Sequence, residues 1–246
     1  MRRFEGRRAF VTGGSKGIGE GIARRLAAEG AHVVIAARGI EAAELVASEI
    51  GGEAVSVDIA DAEAVIAVVK AAGTLDVLVN NAGFDDFDFL TNTTPERWRR
   101  LLAVNLEGMF ACTQAALPGM QAAGYGRILN IGSEAGRIGS KGNAVYATTK
   151  AGIIGFTKSI ARENARYGIT VNTLAVGPID TPLTDAARAV PDVGEKMVQA
   201  MKDGTLLGRL GTTEEVAAAA AFLCAEESSF VTGETLGVSG GMGIGA

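Results

Sequence analysis

One histidine, two cysteines, five prolines and a 5% aromatic content are what this 246-residue chain has least of, and each shortage closes a line of chemistry. A mechanism that requires an imidazole must use His32, which falls in an early apolar strand, where packing is its expected role. Cys112 and Cys224 are far apart and lack metal-ligand spacing, so no metal site is expected. Two isolated thiols instead suit buried small hydrophobes in a reducing compartment. There is no basic block and the net charge is −5, which argues against a nucleic-acid partner. The longest apolar run, Val216 to Ala225, is about ten residues and cannot span a bilayer. The basic start, Met1 to Arg8, is followed only by Ala9-Phe10-Val11, too short for a signal-peptide core. A cytoplasmic, soluble protein with no membrane partner is expected.

What the chain does have is glycine, 34 residues of it, within a composition 48% hydrophobic and 21% charged. That balance is globular, and the length suits one α/β domain spanning 1–246. Short β-branched runs predict strands at Ala9–Thr12, His32–Ala36, Ala54–Val57, Val77–Val79, Arg127–Ile131 and Thr170–Ala175. Helical patterns fill 18–29, 41–50, 62–72, 96–122 and 144–166. Strict alternation of this kind predicts a doubly wound parallel β-sheet with helices on both faces. The stretch 177–210 breaks the rhythm after Gly177-Pro178, and an excursion from the sheet near 180–205 is expected to act as a substrate lid.

The first strand runs directly into Thr12-Gly13-Gly14-Ser15-Lys16-Gly17-Ile18-Gly19 and a helix. Glycines at 13, 17 and 19 let the chain turn tightly and let a pyrophosphate approach the backbone, where the helix N-terminus offers free N–H groups. Such a loop in a βαβ unit predicts a Rossmann-type dinucleotide site. Cofactor choice is set at the end of the second strand, where Ala37 replaces the expected acid and Arg38 follows. Arg38, with Lys16 from the loop, favours NADP(H) over NAD(H), because arginine binds phosphate bidentately. The plain alternative for Arg38 is a solvated loop charge. Asp58, with Ile59 beside it, ends the third strand and is placed for the adenine amino group, or else is a turn residue.

Tyr146 and Lys150 stand four apart, so on a helix they share one face. A cation beside a phenol favours the phenolate, and a tyrosine tuned toward neutral pH serves as a general acid or base. Alone, the pair also fits an ordinary amphipathic helix.

Taken together, Thr12-Gly13-x-x-x-Gly17-Ile18-Gly19, Asn80-Asn81-Ala82-Gly83, Val104-Asn105, Ser133, Tyr146-x-x-x-Lys150 and Gly177-Pro178 with Thr181 resemble the short-chain dehydrogenase/reductase family, in order and spacing, over nearly the whole chain. The tail, Leu207-Gly208-Arg209-Leu210-Gly211 through Ser239-Gly240-Gly241, is similar to the 3-oxoacyl-carrier-protein reductase branch. The resemblance implies that Tyr146 exchanges a proton with the substrate oxygen and that Ser133 hydrogen-bonds that oxygen. It implies that Lys150 lowers the Tyr146 pKa and holds the nicotinamide ribose, and that Asn105 holds a water linking Lys150 to solvent. Asn81, Ala82 and Gly83 would line the cofactor, and Pro178, Ile179 and Thr181 would meet its nicotinamide end. Each residue also has an ordinary reading as a turn or cap. The resemblance further implies a homotetramer, with the C-terminal Met242–Ala246 able to reach a neighbouring subunit's site.

A small-molecule ketone or secondary alcohol is the expected substrate. Reductases of carrier-linked chains carry basic residues before the fifth and sixth strands; here Met120–Tyr125 and Ala165–Gly168 contain only Arg166. That weakens the reading as a 3-oxoacyl-carrier reductase. A dinucleotide-binding sensor without catalysis is the rival from another class, and the intact Ser133, Tyr146, Lys150 and Asn105 argue against it. The loop Phe84-Asp85-Asp86-Phe87-Asp88-Phe89 should border the substrate: its phenylalanines suit an apolar or ring-shaped one and its carboxylates disfavour an anionic one, the plain alternative being a solvated loop with the phenylalanines packed inward.

Overall fold

The computed structural model describes residues 2–189 and 192–245. Residues 190 and 191, which fall within the expected lid at 180–205, and the terminal Met1 and Ala246 lie outside them. Seven parallel strands form one sheet in the order β3-β2-β1-β4-β5-β6-β7. They are β1 (Arg8–Thr12), β2 (His32–Ala37), β3 (Glu53–Ser56), β4 (Val77–Asn80), β5 (Gly126–Ser133), β6 (Ile169–Val176) and β7 (Thr235–Val238). The order reverses between β1 and β4, which places the ligand crevice of a doubly wound sheet beyond the C-terminal ends of those strands.

Side-chain alternation splits each strand between two cores. Ala9, Val11, Val33, Ile35, Val77 and Val79 face α1 (Gly17–Ala28), α2 (Ile40–Ile50) and α10 (Thr213–Cys224). Phe10, Val34, Leu78 and Ile128 face α3 (Ala62–Ala71), α5 (Gly108–Ala123) and α7 (Ala144–Asn164). Ile22 and Leu26, one turn apart on α1, are fully buried against the first face. Each contributes about 1.5–3 kcal/mol by leaving water.

Three differences from the sequence reading have physical causes. The pattern over 96–122 is not one helix: α4 (Pro95–Leu102) joins α5 through a π turn, Ala103–Glu107, which carries Asn105. An inserted turn leaves hydropathy unbroken, so periodicity alone does not reveal it. Helix α10 and strand β7 were absent from the expected elements. Thr212 and Glu215 form a reciprocal capping box that starts α10, and the apolar run it opens is a buried helix. Strand β7 is short and half-exposed, so its pattern is weak. His32 is not packed inside its strand. It opens β2 at the edge of the core, half-exposed, with Nε2 2.7 Å from Glu53 Oε1.

Both cysteines are buried and free. The excursion between β6 and β7 forms α8 (Pro182–Arg188) and α9 (Gly194–Asp203). Among the described residues no helix is long and apolar enough to cross a membrane.

A buried ion pair ties the chain's start to α1. Arg3 Nη2 donates to Glu29 Oε1 at 2.9 Å, Arg25 adds a second bond, and Glu29 is 6% exposed. The Arg3 bond, then Arg25, hold the Glu29 carboxyl at about 2, against the opposing effect of burial. A depressed carboxyl stabilises the fold above its unfolded pKa, and that contribution is lost as pH falls from about 4.5 through 2. Glu29→Gln is expected to cost about 2–3 kcal/mol near neutral pH. Urea unfolding should show the gap between wild type and variant closing at about pH 2; a gap independent of pH contradicts this role.

Candidate active site

The site is assembled where β1, β4, β5 and β6 end. Thr12, the last residue of β1, is the hub of the cofactor end. Its hydroxyl accepts from the backbone N–H of Asn81 and of Ala82, both at 3.0 Å. The Asn81 amide returns bonds to the carbonyls of Thr12 (2.9 Å) and Gly13 (3.2 Å). The glycine loop is thereby fastened to the segment after β4. Gly13 and Gly17 have φ of +65° and +58°, which disfavour any side chain there. A Cβ on Gly19 would sit 2.3 Å from the Gly13 carbonyl and 2.4 Å from Asn81 Nδ2.

These residues fit a dinucleotide. The loop is a backbone cradle that a single Cβ would fill. The N-cap of α1, Lys16, makes no side-chain capping bond, so the first-turn N–H groups of a twelve-residue helix are available to an anion. Lys16 and Arg38 are exposed, and among the described residues neither forms an ion pair. Ser15 is half-buried in the loop, and Ile18 packs against the core under it. Thr181 lies 3.7 Å from where a Gly17 side chain would begin, so the segment after β6 meets the glycine loop there.

Two expected contacts change form. Asp58 closes a turn by accepting from the Ala60 N–H at 3.0 Å, and Ile59 packs on Gly108 of α5. For Asp58 the turn role is therefore realised, with one carboxylate oxygen committed to it. Ile179 points its side chain into the core beside Gly211, and its carbonyl accepts from Thr184 at 2.6 Å. Only its backbone N–H remains to meet a nicotinamide. Pro178 is likewise a backbone contributor, its carbonyl accepting from Gly211 N–H at 3.0 Å.

Chemistry is concentrated at the other end. Ser133 is the last residue of β5, and Tyr146 and Lys150 lie on the first turns of α7. Ser133 lies near enough to the Tyr146 hydroxyl to favour its ionised form, and its own Oγ accepts from Ala135 N–H at 3.2 Å. Lys150 is 5% exposed; its Nζ donates to the Ile131 carbonyl at 3.0 Å and lies 5.6 Å from the centre of the Tyr146 ring. Gly83 leaves room here, since its Cβ would fall 3.5 Å from Lys150 Nζ and 3.1 Å from Asn105 Oδ1. Asn105 is buried. It accepts from Phe84 N–H, donates to the Phe84 carbonyl (both 3.0 Å) and reaches Thr149 Oγ1 at 3.3 Å. Its side chain thus splices the loop after β4 to α7. A buried ladder, Asn80–Asn130–Thr157–Thr173, pins the same helix across β4, β5 and β6 with bonds of 2.7–2.8 Å.

The expectation that Lys150 lowers the Tyr146 pKa is not met. Burial pushes the Tyr146 hydroxyl up to about 12, the charge of Asp85 adds to the rise, and Ser133 opposes both. Tyr146 is only partly exposed, so the surrounding protein displaces water that its phenolate would need. Burial also brings Lys150 down to about 8, with Asp85 pulling it back. In the protein alone, desolvation outweighs the cation.

The loop after Gly83 behaves differently from its expected packing. Phe87 and Phe89 are 56% and 49% exposed. Asp86 and Asp88 clamp Arg97 with bonds of 2.6–2.8 Å, and all three line the cleft that Tyr146 borders. Asp85 turns inward, where Oδ2 accepts from Asn143 Nδ2 at 2.9 Å. Glu134 is buried beneath Gly237 and the C-terminal Gly243, paired with Arg137 at 3.2 Å. The described tail therefore folds back on its own chain. Thr12, Thr149 and Asn143 carried no role in the sequence reading. Thr12 had a signal, its place at the end of β1 before the glycines; the other two are visible only once the helices are packed.

A phosphate cradle at the switch point of a parallel sheet, beside a serine–tyrosine–lysine cluster, defines a class: oxidoreductases that use a nicotinamide dinucleotide. Known proteins narrow it. A family model described as Enoyl-(Acyl carrier protein) reductase matches residues 13–243. The 3-oxoacyl-[acyl-carrier-protein] reductases FabG of Vibrio cholerae and of Escherichia coli are each 41% identical over 245 residues, 97% of this chain and 98% of theirs. That of Staphylococcus aureus is 40% identical over 244 residues. A solved structure called a short chain dehydrogenase/reductase family protein superposes with a TM-score of 0.90 at 36% identity, covering 98% of this chain and 99% of that one. The chain belongs to the short-chain dehydrogenase/reductase family, in its branch resembling 3-oxoacyl-carrier-protein reductases.

Gly19→Ala is expected to weaken NADPH binding, read by nucleotide fluorescence, by about tenfold or more, because the new methyl meets backbone that cannot yield. Gly155→Ala on α7, where a Cβ meets nothing within 4 Å, is the matched control and should bind as wild type. Equal binding by both variants contradicts the cradle.

Proposed function

We propose that this oxidoreductase interconverts a secondary alcohol and a ketone, with NADP(H) as its preferred cofactor. The observation that carries the reading is the buried Lys150, 5.6 Å from the Tyr146 ring centre, with Ser133 near the Tyr146 hydroxyl and the glycine cradle beside them. The bound dinucleotide supplies hydride transfer at its nicotinamide ring. Tyr146, protonated across the neutral range by its burial, donates to the carbonyl oxygen in reduction and recovers the proton in oxidation. Ser133 donates to the same oxygen and stabilises the charge that develops on it. Lys150, charged below about pH 8, faces the phenolate left behind. Asn105 is a positioning residue: it fixes Thr149, the neighbour of Lys150, and the loop that follows Gly83. Gly13, Ser15, Lys16, Gly17, Ile18, Gly19, Asn81, Ala82, Gly83, Pro178, Ile179 and Thr181 hold the dinucleotide by backbone and short side chains, and α8 and α9 act as the lid.

Cofactor choice rests on Lys16 and Arg38, two free cations beside a β2 end that carries no acid. A 2′-phosphate offers both a partner, whereas a ribose hydroxyl offers neither. Asp58 contributes its remaining oxygen at the adenine end.

A second reading, reduction of 3-oxoacyl chains on a carrier protein, is favoured by the printed function of the 40–41% identical relatives. Against it, Arg166, the only cation of the two expected docking segments, is held on Tyr167 at 2.7 Å. The cluster of hydroxyls suits a C=O group better than the C=C bond that an enoyl reductase acts on.

Assembly as a homotetramer in the cytoplasm is part of this reading. Phe110 on α5 stacks with Phe156 on α7 at 4.7 Å while 40% exposed, and Phe222, Phe230 and Leu236 are exposed near α10 and β7. Two separate apolar faces suit two isologous interfaces. Light scattering that returns a monomer contradicts this.

Steady-state reduction of acetoacetyl-CoA, a carrier-linked 3-oxoacyl chain and cyclic ketones, with NADPH and NADH in parallel, tests the function. Tyr146→Phe should lower kcat by about 10²–10⁴-fold without loss of NADPH binding. Arg38→Ala should raise the KM for NADPH about 10–100-fold and change that for NADH little. Retained turnover in Tyr146→Phe contradicts the acid–base role, and an unchanged cofactor preference in Arg38→Ala contradicts the phosphate site.

A further inference from the structure

The carboxylates of the loop after β4 have divided tasks. Asp86 and Asp88 are neutralised on Arg97 along the cleft that Tyr146 lines. Asp85 turns to Asn143 instead, and its Oδ1 is buried with no hydrogen-bond partner. Its Oδ2 is held by Asn143, which occupies the N-cap of α7 but makes no side-chain capping bond. Asparagine at that position ordinarily caps the helix. Here the amide is spent on Asp85 instead. That bond requires Nδ2 to face Asp85, which directs Asn143 Oδ1 away, and it too is buried and unpartnered. Asn143 lines the same cleft as Tyr146, three residues further along α7. Asp85 is close enough to Tyr146 and Lys150 for its charge to act on both.

Two buried acceptors without donors, one on Asn143 at the cleft that Tyr146 lines and one on its partner Asp85, call for a donor from the substrate, because an unpaired buried acceptor is costly. The donor should be neutral: Lys150 already places one cation against Asp85, and a second would be unbalanced. A carboxylate or phosphate would meet Asp85 as a like charge. Resting on the ketone–alcohol reading above, we propose that Asp85 and Asn143 are specificity-determining residues that bind a hydroxyl on a carbon near the reacting carbonyl, so that the substrates are hydroxyketones and the corresponding diols.

The test compares cyclohexanone with 2-hydroxy- and 3-hydroxycyclohexanone, using NADPH and NADH, on wild type, Asp85→Ala and Asp85→Asn, with folding checked by circular dichroism. Wild type should favour at least one hydroxyketone in kcat/KM by about tenfold or more, since a site built to bond a hydroxyl rejects the analogue that lacks it. Asp85→Ala should bring that ratio to about threefold or less. Asp85→Asn, which keeps the shape, should lower it as well, and serves alone if the alanine variant is misfolded. A wild type that turns over all three ketones equally, or a preference that survives in both variants, overturns the proposal and leaves the ketone reading standing. No turnover of any ketone, free or carrier-linked, overturns the ketone reading and this inference with it.

Discussion

A buried ammonium is the constraint around which this molecule is arranged. Lys150 is 5% exposed, and its hydrogen bond goes to a backbone carbonyl, that of Ile131. Taking a cation out of water costs several kcal/mol unless geometry compensates. The compensation comes from every element that ends nearby. Strand β5 extends far enough for Ile131 to present its carbonyl, Gly83 withholds a side chain, and Gly136 lets the turn Ala135–Ile138 press against the backbone of Lys150. The Asn80–Thr173 ladder and the Asn105–Thr149 bond keep α7 from relaxing away.

The same enclosure sets the electrostatics. A tyrosine beside a lysine invites the conclusion that the cation lowers the phenol's pKa. In this fold both groups lose water, and each is pushed toward its neutral form: Tyr146 up to about 12, Lys150 down to about 8. Asp85 adds a negative charge that opposes ionisation of the phenol and supports that of the amine. The resting state is a proton-loaded acid next to a cation, poised for donation to an oxygen held by Ser133. At the opposite end, chemistry is sparse and geometry does the selecting: glycines at φ +65° and +58°, a Thr12 hydroxyl receiving two backbone donors, and two unpaired cations.

Much of this was legible in the residues. The glycine spacing after β1, the Tyr146–Lys150 interval and the first six strands follow from local rules, because loop conformation and hydrophobic periodicity are local properties. What escaped depended on packing between distant segments. The π turn at Ala103–Glu107 keeps helical hydropathy and shifts only the register that aims Asn105. The capping box at Thr212 lay in plain sight before a run noticed only for its length. How Asp85, Asp86 and Asp88 divide between partners is decided by Arg97, eleven residues from Asp86, and by Asn143, 58 residues from Asp85. Desolvation of the phenol is likewise a property of the closed fold, so spacing alone pointed its pKa in the wrong direction.

Ultraviolet difference titration of wild type against Tyr146→Phe, without nucleotide, isolates the ionisation of Tyr146 from that of Tyr125 and Tyr167. If burial governs the site, no tyrosinate that depends on Tyr146 develops below about pH 10, consistent with a hydroxyl held up to about 12. A tyrosinate that appears between about pH 7 and 8 and vanishes in the variant would mean that Lys150 dominates after all, and would contradict the protonation state on which the proposed proton donation rests.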